Sequence, residues 1–397
     1  MPLERAVSLE CAESIIDHCF EARQLVCTIA RHGALLSSTT ATLEGELPDA
    51  GDAVGCGKGY ADEARVGAKF EAYEHSFGPA ALKDTTRLAD FEQMSRHSEF
   101  CDLLPMRLLA KSGGTQMGVI AFEATEDLPC LNFPAFLIDY TYVSQPLPGD
   151  DVCYAEARRY ACGTGLATGV GVLEASIHAA GEVVERHGVG RFIARHYFRQ
   201  VSDPVLEIAR ASVPRALGQL LDEAESEIGD GIVIYDASSE VDCPVVIARS
   251  RNRSIAGIHV IGAGASIHGE HSATRAIKEL VQQYKVVEGE PHVQEKWARS
   301  SQRLMRFPRL HRCLRLQPQT QAARQVDFST IEGVTSALPL QEHLDLLRAR
   351  CAAVGRPIRT RELICEPSGV VLACAVMPRM ERFSIVSLGG AVVPCYY

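Results

Sequence analysis

Hydrophobic positions along this chain recur with two periods, one helical at about 3.6 residues and one strand-like at about two. Residues 9–31 follow the first and read as one amphipathic helix. GALLSSTTATLEGELPDAGDAV, after it, is turn-rich with room for short strands. Helical spacing returns at about Ala61–Phe77, and MGVIAFEA and PAFLIDYTYV predict strands, with SQPLPGDD a turn or boundary. A helix is expected over Pro204–Ile228, followed by the β-rich runs GIVIYDAS, CPVVIARS and IAGIHVIGAG and by a helix starting near Ser272. In the C-terminal part LQEHLDLLRARCAAVG is helical, and IRTRELICEP and GVVLACAVM are strands. The alternation predicts a mixed α/β fold, of the α+β kind.

One device recurs. Three times a glycine-rich stretch, read as a loop, runs into a helix bearing acidic residues, and in the first two the acids stand three apart, a spacing that shares one helical face. GCGKGYADEARVGAKFEAYEH brings Glu71 and Glu74; CGTGLATGVGVLEASIHAAGEVVERHGVGR brings Glu182, Glu185 and Arg186; GAGASIHGEHSATRAIKELVQQY brings Arg275, Glu279 and Gln282. A solvated outer face is the ordinary role of such charges, with Leu173, Ile177, Ala180 and Val184 as the inward stripe of the second helix, and Ala273, Ile277, Leu280 and Val281 as that of the third. Convergence of the three helices would instead put five carboxylates in one pocket. Two unit charges ~4 Å apart repel by about 4 kcal/mol at an effective dielectric near 20, so such a cluster must take up protons or hold cations. Oxygen donors without His or Cys suit magnesium, and Lys58, Arg186 and Arg275 with exposed glycine amides suit a polyphosphate.

Composition narrows the partners. At 397 residues, 46% hydrophobic and 23% charged, the chain can bury a large core, and its net charge of −10 argues against a general nucleic-acid surface. No apolar run approaches the ~18 residues of a membrane span, and the N-terminus does not read as a signal peptide. The fourteen cysteines include no Cys-x-x-Cys pair and read as reduced thiols of a cytoplasmic protein. The familiar nucleotide motifs fail: Gly59 follows Lys58 where a P-loop needs Ser or Thr, and Ile267 takes the third small position after Gly262 and Gly264. His268 and His271 read as loop or helix-start histidines rather than metal ligands.

Taken together the three segments resemble the YcaO family, ATP-dependent enzymes that activate peptide backbone amides. The resemblance falls on Gly57, Lys58, Gly59, Ala64, Glu71 and Glu74; on Gly165, Ala167, Gly169, Glu174, Ala175, Glu182, Glu185 and Arg186; and on Gly262, Gly264, Arg275, Ala276, Glu279 and Gln282. It departs at Gly67, where the family usually has serine, at His75 in place of arginine, and at Thr164 in place of asparagine. Of the Pro-x-Pro-x-Pro ending of many cyclodehydratases, only Pro394 is present.

The resemblance implies a YcaO-like fold of several sheets and helices around a magnesium–ATP cleft. It implies an N-terminal helical or irregular segment over 1–54 and a catalytic domain over 55–397, completed by 286–397. Glu71, Glu74, Glu182, Glu185 and Glu279 would bind Mg2+; Lys58, Gly165, Arg186, Arg275 and Gln282 would contact ATP; Glu182, Glu185, Arg186 and Arg275 would serve the chemistry. The general base is unassigned; His75 reads as a satisfied structural histidine, with general base as the alternative. The implied reaction is cyclodehydration of Cys, Ser or Thr to azolines in a ribosomally made, post-translationally modified peptide. Its alternatives are thioamidation with a TfuA-type partner and a non-catalytic binding subunit. Implied partners are a precursor peptide, a ThiF-like or leader-binding protein, a flavin-dependent azoline dehydrogenase and a second copy of the chain, with neither nucleic acid nor membrane.

Overall fold

The protein is described here by a computed structural model covering residues 3–48, 51–111, 113–126, 128–199, 201, 203–316 and 323–396. Helix α1 (Leu9–Ala22) starts where the Ser8 hydroxyl oxygen accepts from the Cys11 amide at 3.3 Å. Strands β1 (Val26–His32), β2 (Leu36–Glu44) and β3 (Val54–Tyr60) then form an antiparallel sheet leading into α2 (Ala61–Thr85). A second sheet orders β4 (Thr86–Asp90), β5 (Gln116–Phe122) and β6 (Leu131–Pro134), with short helices α3 (Phe91–Arg96) and α4 (Leu104–Leu109) between its first two strands.

Strand β7 (Leu166–Val170) leads into α5 (Gly171–Ile193), and β8 (Leu206–Ile208) precedes α6 (Arg215–Ile228). The strands β9 (Ile232–Asp236), β10 (Val245–Ser250) and β11 (Ile261–Ala265) end at α7 (Gly269–Gly289). Then come α8 (Pro291–Leu304), α9 (Pro308–Arg315), β12 (Arg324–Val326), α10 (Leu340–Ala353), β13 (Arg359–Cys365) and β14 (Val370–Val376). The larger sheet runs β11-β10-β9-β8-β12 and the last runs β13-β14-β7.

Several expected boundaries move. The helix expected over 9–31 stops at Ala22, because VCTIARH pairs residue by residue with β2 and becomes a strand. That sheet joins residues on both sides of position 54. PAFLIDYTYV is not a strand: after β6 the chain makes a 3-10 turn over Ala135–Leu137, since Phe136, Leu137 and Ile138 are all buried and a continuing strand would bury them only alternately. The helix expected from Pro204 begins at Arg215, after β8 has paired with β9 and β12.

The three glycine-rich stretches are strands rather than loops. Each lies at the edge of its sheet and leads into its helix: β3 into α2 and β7 into α5 without a break, and β11 into α7 after residues 266–268. Glycine is a poor strand former in isolation, but here a helix lies where a side chain would be. A Cβ on Gly57 would stand 1.8 Å from the Ala64 carbonyl oxygen, and one on Gly262 would stand 2.1 Å from that of Ala276. Each helix packs on its own strand and reaches a second: α2 touches β7, α5 touches β11, and α7 touches β3. This cyclic contact encloses the space into which the acidic residues point. The largest core packs around α5, a second lies beneath α6 and α7, and a third lies between α1, α2, β2 and β14.

Candidate active site

The cyclic packing brings side chains from all three helices together. On β3, Lys58 Nζ forms an ion pair with Glu279 Oε2 of α7 at 2.5 Å. Gln282, one turn further along α7, is buried and donates its amide to the Cys56 carbonyl. Glu71 accepts from the Cys56 amide at 3.1 Å, and Glu74 reaches from α2 to the Thr168 amide of β7 at 3.0 Å. Glu182 accepts from the Gly165 amide at 2.9 Å. Arg186 Nε lies 3.5 Å from Glu182 and 3.8 Å from Glu185. Two predicted nucleotide contacts therefore already have partners in the chain: the Gly165 amide holds Glu182, and Gln282 ties α7 to β3. The expected exposed glycine amides are replaced, at Gly57 and Gly262, by close strand–helix packing.

Burial and mutual repulsion set the electrostatics of this centre. Burial first, then the charges of Glu182 and Glu71, hold Glu74 well above the usual carboxylate range. Burial raises Glu71 against the pull of His75, the Cys56 amide and Lys58, and Glu279 adds to the rise. Glu182 and Glu185 are raised by burial although Arg186 pulls them down, and Glu279 again repels both. Glu279 alone is lowered: desolvation opposes this, but Lys58 and Arg186 prevail. Arg186 is raised by its carboxylate neighbours against desolvation. Helix α5 is buried nearly all round, so Glu185, 3% exposed, is no solvated surface charge. Glu71 is 38% exposed at the open side of the same cleft.

These residues fit Mg2+ and a polyphosphate. The donors are oxygens only, as a hard cation prefers, and four of the five carboxylates are held above their ordinary range. Lys58, Arg186 and Arg275 are the cations set around them. Among the described residues no three of His, Cys, Asp and Glu already stand in metal-ligand geometry. The chain's own amides and cations hold the carboxylates in the meantime.

A family model described as YcaO cyclodehydratase, ATP- and Mg2+-binding, matches residues 56–381. The chain belongs to the YcaO family. None of the curated proteins compared matches the sequence. The fold is similar to that of YcaO from Methanopyrus kandleri, solved bound with AMPPCP and Mg2+, at 19% identity and a TM-score of 0.65, over 99% of this chain and 97% of that one. A heterocyclase solved in complex with substrate and cofactor aligns at 15% identity and TM-score 0.67, over 95% of this chain and 53% of that one. The E. coli microcin synthetase McbBCD complex aligns at 13% and 0.57, over 89% and 88%.

The YcaO match begins inside β3 and takes in every metal, nucleotide and catalytic residue predicted from the sequence. The three departures have local explanations. Thr164 donates its hydroxyl to the Cys162 sulfur at 3.4 Å. His75 lies 2.7 Å from the Val54 carbonyl through Nδ1, and a carbonyl can only accept, so Nδ1 carries the proton. Its Nε2 faces Glu71 at 3.7 Å. A Cβ on Gly67 would meet only the Gly57 Cα, at an ordinary 3.6 Å. The C-terminal tail is held by buried Glu381, which accepts from the amides of Cys395 and Tyr396; Tyr397 lies outside the described residues.

Sequence reasoning missed the other side of Arg275. Its guanidinium lies 3.4 Å from His178 Nδ1 and 3.7 Å from Glu4, a buried residue near the N-terminus. Desolvation drives His178 well below the usual histidine range, so its ring is neutral and Nδ1 can accept. His268 and His271 stand at the start of α7 as expected: His268 bonds the Val334 carbonyl and His271 faces Glu4. No sequence signal marked Glu4, a single acid far outside the motifs. Among the described residues no helix is long and apolar enough to cross a membrane, and all fourteen cysteines are free.

Proposed function

We propose that this YcaO protein is an ATP-dependent cyclodehydratase acting on Cys, Ser or Thr residues of a ribosomally made precursor peptide. The observation that carries the proposal is the convergence of five glutamates from three helices on one cleft, four of them held above their ordinary range by burial and mutual repulsion. Glu71, Glu74, Glu182, Glu185 and Glu279 would hold Mg2+, which would offset phosphate charge during transfer. Lys58, Arg186 and Arg275 orient the terminal phosphates. The side-chain nucleophile of the peptide adds to the preceding carbonyl with loss of its proton. The resulting oxyanion takes the γ-phosphoryl group of ATP, and ADP is released. Phosphate then departs with the former amide oxygen as the amide nitrogen loses its proton and the ring C=N bond forms. Charge builds on that oxygen as the bond forms, and fixed cations nearby stabilise it most there.

The microcin synthetase relative was solved as a complex of McbB, McbC and McbD, and also with pro-MccB17 bound. By analogy we propose that this chain works in an assembly with partner proteins; the family resemblance adds a ThiF-like or leader-binding protein, a flavin-dependent dehydrogenase and a homodimer, and the reduced cysteines suit the cytoplasm. The test is mass spectrometry of a precursor incubated with ATP, Mg2+ and partner. Cyclodehydration removes ~18 Da per ring and oxidation a further ~2 Da, whereas thioamidation adds ~16 Da. Heavy oxygen placed in the precursor amide should appear in the released phosphate. A precursor of unchanged mass, or phosphate without the label, contradicts the reading.

A further inference from the structure

Residues Leu3–Val7 cross the molecule as a strap, and two neighbouring anchors hold it. Glu174 of α5, itself 2% exposed, accepts from Arg5 Nη1 at 2.8 Å and from the Ala6 amide at 2.7 Å. This places Glu4 inside the protein with a backbone φ of +62°, a left-handed conformation costly for any residue but glycine. Such a conformation persists where the surroundings over-determine it. Its carboxylate accepts from the Ser266 hydroxyl at 2.5 Å, and His343, His271 and Arg275 stand at 3.5, 3.4 and 3.7 Å.

On its other side Arg275 stands one helical turn before Glu279 on α7, and its neighbour His178 stands one turn before Glu182 on α5, so the guanidinium lies beside the acidic centre. Its Nε is buried without a partner among the described residues, so the guanidinium is fixed by ion pairing rather than by a full set of hydrogen bonds. A cation shared between two anionic poles sits where the forces balance. With the outer pole gone, the inner carboxylates draw the guanidinium in and neutralise themselves with it, taking the place of a metal ion.

We propose that Glu4 is a positioning residue that holds Arg275 back from Glu185 and Glu279, leaving those carboxylates free for Mg2+ and the guanidinium free for the nucleotide's terminal phosphates. This rests on the phosphate role proposed above for Arg275. The strap lies outside the family match, which starts at residue 56, yet it acts on the centre of the matched region.

The test is the dissociation constant of AMPPCP in saturating Mg2+, measured by calorimetry on the full chain. Glu4→Gln keeps the shape and removes the charge; it should weaken binding about tenfold, and Glu4→Asp should recover part of the loss. Arg275→Gln should weaken binding at least as much, and the double variant should bind no worse than Arg275→Gln alone, because Glu4 acts through Arg275. Ser266→Ala, which loosens Glu4 without removing it, should shift binding two- to fivefold in the same direction and provides the readout if Glu4→Gln does not fold. Binding by Glu4→Gln within twofold of wild type, or losses that add in the double variant, would overturn the proposal. Wild-type binding by Arg275→Gln would instead remove the phosphate role of Arg275, a distinct failure.

Discussion

Helix α2 carries charge on two faces, and the two are balanced by opposite means. On the outer face Arg65 and Lys69 meet Glu13 and Asp17 of α1: Arg65 Nε and Nη2 bind both Glu13 oxygens at 2.7 and 2.8 Å, and Lys69 Nζ reaches Glu13 and Asp17 at 2.8 Å each. The Arg65 hydrogen bond, then Lys69, hold Glu13 at about 2 against desolvation. On the inner face Glu71 has His75 at 3.7 Å, the Cys56 amide and Lys58, Glu74 has the Thr168 amide, and both are raised. Charge that serves packing is neutralised within the chain. The inner acids are not neutralised in this way, and they lie within the family match, which is what the proposed Mg2+ role draws on.

The strongest way to break this contrast is to remove inner charge. Glu182→Gln or Glu185→Gln should lower ATP-dependent turnover by at least about a hundredfold, the scale on which removing an electrostatic partner of the transition state acts. Neither should lower the melting temperature of the ligand-free protein. Turnover within a few-fold of wild type would show the cleft to be a binding scaffold.

The next effect is a pH dependence of opposite sign on the two faces. A carboxylate whose folded pKa is raised contributes stability that is complete below the unfolded value, and this is lost as pH rises through the folded one. Glu71, Glu74, Glu182 and Glu185 therefore cost the ligand-free protein stability as pH climbs above about 4.5. Mg2+ should restore more of it at higher pH, adding about 2.7 kcal/mol at a hundredfold excess over its dissociation constant. Melting curves at several pH values, with and without Mg2+, would contradict the proposed Mg2+ role if the Mg2+ increment shrank with rising pH. Glu13 behaves oppositely: its depressed pKa contributes stability above the unfolded value that is lost as pH falls through about 2.

Smaller effects sharpen the distinction. Glu13→Gln should destabilise by about 1 kcal/mol, a figure already reduced for solvent screening, and leave turnover unchanged. Denaturant melts and a turnover assay on one preparation check both halves. Gly67→Ser, which restores the residue usual in the family, should fold normally, because the added Cβ meets only the Gly57 Cα at 3.6 Å. A fall of more than a few degrees in its melting temperature would show that this helix–strand contact tolerates less than the spacing implies.

The residues proposed for the site could be picked out before any fold was known. Acids three apart on two helices, Glu279 with Gln282 on a third, and Lys58, Arg186 and Arg275 carry their chemistry in residue type and spacing, which is local information. The strands ahead of those helices were read as loops, because glycine signals a turn unless a helix is known to occupy the space where a side chain would go. The early helix was overextended for a related reason: whether VCTIARH is helix or strand depends on β2 being available to pair with it.

By itself the sequence determined which residues carry charge, at what helical spacing, and to which family the chain belongs. Tertiary structure decided that Gly165 and Gln282 face inward to hold the frame, that Glu185 is interior, and that Glu4 reaches Arg275 from 271 positions away in the chain. The physical reason is range. Propensity and periodicity act over a few residues, whereas an unscreened carboxylate in a buried cleft responds to every charge around it, whichever part of the chain supplies it.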